Sequence, residues 1–258
     1  MQKFKIEISY DGTDYYGWQI QPKHHTISSC MQNAFNSAFG KNINIIGTSR
    51  TDTGVHALGQ IASFKTDLKL QPEKILKIWN QHLPKSILIK NIKSVSNNFH
   101  PQANVHQKTY YYHLFLKKPL PFVARYGWFY KFINQVDLEK FKKILQLYVG
   151  KHDFASFCKT EEEKDTIRKI DNIIVKKFAR FGIIQITIKG KSFLRFQIRR
   201  MIGYALDVSR QPELSVDYIK TILNTPNSQQ QLIKAEGCGL CLKKIVYKNE
   251  INSKKRNV

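Results

Sequence analysis

The chain has 258 residues, with 42 Lys+Arg against 19 Asp+Glu and a formal charge of +23. That length suits one large domain or two of ordinary size, and the positive excess runs along the whole chain, so it belongs to a folded body and not to a detachable basic tail. No apolar run approaches a membrane span, and the start "MQKFKIEISYDG" holds nothing like a signal peptide, which sets aside membrane and secreted classes and points to the cytosol. A field of this sign draws in phosphates, so nucleic acid leads as partner over an anionic membrane surface.

In chain order, "KFKIEISY" alternates with period two and breaks at "DG", reading as a strand that enters a turn. Thr26 is placed to cap a helix with Ile27, Met31, Ala34, Phe35, Ala38 and Phe39 on one face, and Gly40 ends it. "NINII" and "VHALGQIASF" read as strands, Pro72 opens a helix through "EKILKIWNQHL", and "ILIKNIKSV" is a strand. Beyond a polar junction containing Pro101, "QKTYYYHLFL" is a strand and "DLEKFKKILQLY" a helix, followed by a hairpin across "ARFG". "FLRFQIRRMIGYALDV" is the next helix, "SVDYIKTIL" a short one, and "CLKKIVYK" the last strand. Both halves fit a split βαβ layout, giving an α+β class with a mostly antiparallel sheet and helices on one face. The expected domains are 1–104, carrying the loop discussed next, and 105–258, completing a basic cleft suited to an RNA helix. Cys30, Cys158, Cys238 and Cys241 are too scattered for a structural zinc site, and "CGLC" runs on as a strand, so reduced thiols and no metal are expected.

The stretch "GTSRTDTGVHALGQ" sets one acid, Asp52, between basic and glycine residues. Three readings compete: a turn aspartate bonding nearby amides, half of an aspartic protease dyad, and a catalytic acid facing a polyanion. The dyad needs two carboxylates sharing a proton, and no second Asp-Thr-Gly or Asp-Ser-Gly occurs. Arg50 lies two residues from Asp52, close enough to hold a carboxylate ionised and aimed, and Gly54 permits a tight turn.

"SRTDTGVHALGQ" resembles the signature loop of the tRNA pseudouridine synthase A family, usually G-R-T-D-x-G-V-H-A. "YDGTDYYGWQIQ", "WNQHLP", "VGKHDFASF", "SFLRFQIRRMIG" and "GLCLKKIVY" are similar, in order, to further segments of that family, so the resemblance spans nearly the whole chain. It implies the pseudouridine synthase fold and an isomerase that, without a cofactor, converts uridine to pseudouridine in the anticodon arm of tRNA, at positions 38 to 40, as a homodimer. Asp52 matches the catalytic aspartate, Arg50 the arginine that pairs with it and helps displace the target nucleotide, Tyr110 the tyrosine stacked on the target uracil, and Arg199 the arginine that approaches the carboxylate. Strand alternation puts Lys108, Tyr110 and Tyr112 on one face, with Tyr112 read as core.

Other residues receive bland readings. His56 is expected to be a packed histidine on the same face as Leu58, and His152 and Asp153 to be structural, anchored by Phe154 and Phe157. Arg195 is expected to share a helix face with Arg199, opposite Leu194, Ile198, Met201 and Ala205, and Arg195 and Arg200 are read as phosphate contacts. Ser49, Gln102, Gln197 and Glu236 depart from the family pattern of Gly, Arg, Met and Pro. The rival from another class is a catalytically silent RNA chaperone.

Overall fold

The computed structural model describes residues 1–159, 165–230, 232–248 and 250. In chain order they form β1 (Gln2–Tyr10), α1 (Ile27–Phe39), β2 (Ile46–Gly47), β3 (His56–Thr66), α2 (Pro72–His82), β4 (Ile87–Val95), β5 (Val105–Phe115) and β6 (Trp128–Phe129). These are followed by α3 (Leu138–Leu147), β7 (Gly150–Asp153), β8 (Ile167–Phe178), β9 (Ile183–Gly190), α4 (Gln197–Ser209), α5 (Tyr218–Asn224) and β10 (Leu240–Tyr247). No helix among the described residues is long and apolar enough to cross a membrane. The chain divides into two compact units, one of Met1–His106 with the closing strand from Cys241, the other of Gln107–Leu240. The closing strand returns to the first unit because it pairs in parallel with β3, Cys241 opposite His56 and Leu242 opposite Ala57.

In the first unit β1 lies between β3 and β4, antiparallel to both, and β2 adds to β3, which is the split βαβ order. Local chemistry explains the helices. Thr26 and Ser29 form a reciprocal capping box, and Gly40 closes α1 in the left-handed region at φ 62°. Pro72 sits at the start of α2, where its missing N–H costs nothing. Both helices bury their apolar stripes on the sheet: Phe35 meets Trp79 edge-on at 4.8 Å, Phe64 meets Trp79 at 5.2 Å, and the indole N–H of Trp79 donates to the Met31 carbonyl at 3.0 Å. Each fully buried ring of this kind stabilises the fold by about 2–3 kcal/mol. The expected strand "NINII" shrinks to Ile46–Gly47, while Ile43 and Ile45 are buried outside it.

One irregularity bears on the site. Ile8 pairs with Gln60 but Tyr10 pairs with Ala57, so β3 carries one extra residue opposite β1. This β-bulge breaks strand alternation, which is why His56 is buried while Leu58 is 43% exposed, contrary to the common face expected for them.

In the second unit β5, β9, β8 and β7 are successive antiparallel neighbours, and β6 runs parallel to the end of β5. The β8–β9 hairpin turns across residues 179–182 with Gly182 left-handed. Asp137 caps α3 by accepting from the Glu139 and Lys140 amides, and α3 buries Phe141, Ile144 and Leu145. The helix expected from Phe193 begins only at Gln197, because Phe196 takes a left-handed backbone, φ 66°. Arg195 therefore precedes the helix and shares no helical face with Arg199, whereas Leu194, Ile198, Met201 and Ala205 are buried as expected. All four cysteines are free thiols, Cys158 and Cys241 buried, Cys30 and Cys238 partly so.

Candidate active site

Residues 48–55 connect β2 to β3, and several backbone hydrogen bonds hold the chain on either side of Asp52. The Val55 amide donates to the Asp52 carbonyl at 3.2 Å, closing a turn whose third residue, Gly54, needs its φ of 74°. The Gly54 amide donates to the Tyr15 carbonyl at 3.3 Å and the Trp18 amide to the Thr51 carbonyl at 3.0 Å. The hydroxyls of Tyr10 and Thr51 bond at 2.8 Å. Upstream, the buried Gln60 amide clamps Ser49 at both its N–H (3.2 Å) and its carbonyl (2.7 Å). The Pro101 carbonyl accepts from the hydroxyls of Thr48 (2.9 Å) and Tyr247 (2.6 Å). Within this frame Asp52 is half-buried and Arg50 exposed.

The loop is packed from behind by "YDGTDYYGW". A Cβ on Gly17, whose φ is 86°, would lie 2.5 Å from the Thr51 carbonyl oxygen; one on Gly12 would lie 2.0 Å from the Val55 oxygen. Tyr10, Gly12, Gly17, Trp18 and Gln60 are thus supports that were not assigned from the sequence; the two glycines in so short a stretch were the available signal of close backbone approach. His56 is a packed residue, as expected: its Nδ1 lies 3.1 Å from the Gly12 amide and 3.2 Å from Asp11 Oδ1, tying down the turn after β1. Two departures from the family pattern are accommodated locally. Ser49 is clamped through backbone groups that glycine also has, and Gln102 donates to the Gly47 carbonyl at 3.0 Å.

In the second unit Tyr110 sits on β5, 8% exposed, with its ring edge-on to Phe193 at 5.2 Å. Tyr112 is core, as expected, with its hydroxyl donating to the Glu236 carbonyl at 2.9 Å. Arg199, 7% exposed, is fixed at two points: its Nε donates to the Ala235 carbonyl at 2.8 Å, and its own carbonyl accepts from the Ala235 amide at 3.0 Å. Tyr110 and Arg199 are thus both tied to residues 193–199, one through Phe193 and one through the start of α4. The fully buried Gln197 accepts from the Leu194 amide at 2.8 Å, while its Nε2 has no hydrogen-bond partner among the described residues. Arg200 donates to the Cys158 carbonyl. His152 and Asp153 are structural: the His152 ring bonds the Val149 carbonyl at 3.1 Å, and Asp153 accepts from the Thr166 hydroxyl at 2.6 Å and the Ala155 amide at 2.9 Å.

Lys108, two residues before Tyr110, is pushed down by burial from 10.5 to about 8. Between those two values the unfolded chain holds a proton that the folded protein has released, so this group's contribution to stability rises with pH across that window and is least favourable below it. Lys108→Met should therefore melt above the parent protein at pH 7, with the gap narrowing as pH approaches 10; a gap that stays constant with pH in calorimetric scans would contradict it.

A family model described as tRNA pseudouridine synthase matches residues 7–102 and 144–248. Among similar curated proteins, tRNA pseudouridine synthase A of Thermodesulfovibrio yellowstonii is 32% identical over 257 residues, covering 96% of this chain and all of that protein. The protein of the same name from Brachyspira hyodysenteriae is 32% identical, covering 97% and 100%. tRNA pseudouridine synthase A 2 of Bacillus cereus is 33% identical, covering 96% and 100%.

Proposed function

Because the chain belongs to the tRNA pseudouridine synthase family, we propose that it isomerises uridine to pseudouridine in the anticodon stem-loop of tRNA, with Asp52 as the catalytic carboxylate. The reaction breaks the bond from uracil N1 to ribose C1′, turns the base and joins its C5 to C1′. C5 loses a proton and N1 gains one, so atoms and charge balance without a cofactor. Asp52 either attacks C1′ or removes a ribose proton; both routes require the ionised acid. The observation that carries this reading is a half-buried carboxylate on a loop whose backbone is bonded before and after it, the rigidity that positioning a reacting group demands.

Arg50 is the side chain we assign to displacing the target nucleotide from its stack, Tyr110 the ring that receives the uracil, and Arg199 a cation for the anionic substrate. Extruding a base costs a few kcal/mol, about the scale that stacking on one aromatic ring and a few charged contacts return. A homodimer acting on tRNA in the cytoplasm completes the reading. The test is carbodiimide or mass-spectrometric mapping of an unmodified tRNA transcript after incubation with the purified protein. Pseudouridine should appear in the anticodon arm; RNA bound without any pseudouridine would instead identify a silent RNA-binding protein.

A further inference from the structure

Phe196 stands in an unfavourable backbone conformation. Its φ of 66° and ψ of −2° lie in the left-handed region, where Cβ crowds the backbone carbonyl and where asparagine or glycine is more at ease. Of the non-glycine residues with positive φ among those described, Lys23, Asn104 and Phe196, it is the bulky apolar one. Strain of this kind persists only where the surroundings over-determine it, and it clusters at functional sites.

Three cations face the half-buried ring. Lys234 Nζ lies 4.3 Å from the ring centroid, the Arg195 guanidinium 5.1 Å and the Arg199 guanidinium 5.6 Å. They come from separate places: Arg195 precedes α4, Arg199 is in its first turn, and Lys234 is on the segment bonded to Arg199 through Ala235. The ring is their common contact. Its quadrupole attracts each cation, which brings positive charges from three separate positions in the chain to one place. Arg195 and Lys234 are exposed, so such an anion can reach them from solvent.

We propose that Phe196 is a positioning residue that gathers Arg195, Arg199 and Lys234 into a cradle for the phosphodiester backbone of the RNA substrate. This rests on the reading of the chain as a tRNA pseudouridine synthase and deepens it by naming how the strand is gripped. Without the ring Arg195 and Lys234 lose the contact they share with Arg199, which keeps its bond to the Ala235 carbonyl, so phosphate binding weakens while the fold is kept.

The test uses the full-length protein with Phe196→Asn, which suits the left-handed backbone. Filter binding of an unmodified tRNA transcript should weaken about tenfold, with the slope of log K against log salt shallower by about one. The melting temperature should equal or exceed that of the parent, and Phe196→Tyr should bind as the parent does. Unchanged affinity and slope would overturn the proposal, as would weaker binding with an unchanged slope, which would make the ring a packing element. If the asparagine variant does not fold, Phe196→Gly is read by the same two measurements. A parent protein that forms no pseudouridine would sink the functional reading; one that forms it, with Phe196→Asn binding unaltered, would sink only the cradle.

Discussion

Asp52→Asn should make no detectable pseudouridine, a loss of about 10⁴-fold or more, while affinity for tRNA changes by less than about threefold. The substitution keeps the volume and much of the hydrogen-bonding capacity of the side chain but removes the charge, and both chemical routes at C1′ require that charge. Binding should survive because the formal charge of +23, not one acid, attracts the polyanion. The turn over 52–55 should also survive, since it is closed by the Asp52 carbonyl and not by its side chain. Single-turnover assays with excess enzyme separate the two effects. Turnover within about tenfold of the parent would transfer the chemistry to another group.

Gly17→Ala should be strongly damaging to the first unit. Two costs coincide there: a φ of 86° that disfavours any Cβ, and a Cβ position 2.5 Å from the Thr51 carbonyl oxygen. That oxygen accepts the Trp18 amide and belongs to the residue before Asp52, so relief requires the catalytic loop itself to shift. A stability loss of about 2 kcal/mol or more is expected, with kcat falling further than KM rises, because a misplaced carboxylate affects the chemical step more than RNA capture. Chemical denaturation together with steady-state kinetics tests both parts; a stable variant with parental kcat would show that the loop tolerates the displacement.

Much of this architecture was legible in the residues alone, and which parts were legible has a physical basis. Thr26 and Gly40 mark the ends of α1 because capping depends on groups within a few residues of each other. The period-two pattern of β1 and the apolar stripe of α1 were visible because one face of each is buried, and burial writes itself into spacing. Asp52, Arg50 and Gly54 stood out for the same reason: the chemistry of a tight loop is compressed into consecutive positions.

Other features depend on partners far away in the chain, and only the tertiary structure decided them. The bulge at residues 58–59 exists because β3 must pair with β1, forty or more residues away, and it reversed the expected relation of His56 to Leu58. The closing strand joined the first unit through a parallel ladder that no local pattern encodes. The clamp of Gln60 on Ser49, the grip of Ala235 on Arg199, and the left-handed Phe196 that delays α4 by four residues all arise from contacts that form only when distant segments meet. Local propensity sets which elements can form; packing and backbone hydrogen bonding between remote segments set where each one starts, bends and pairs.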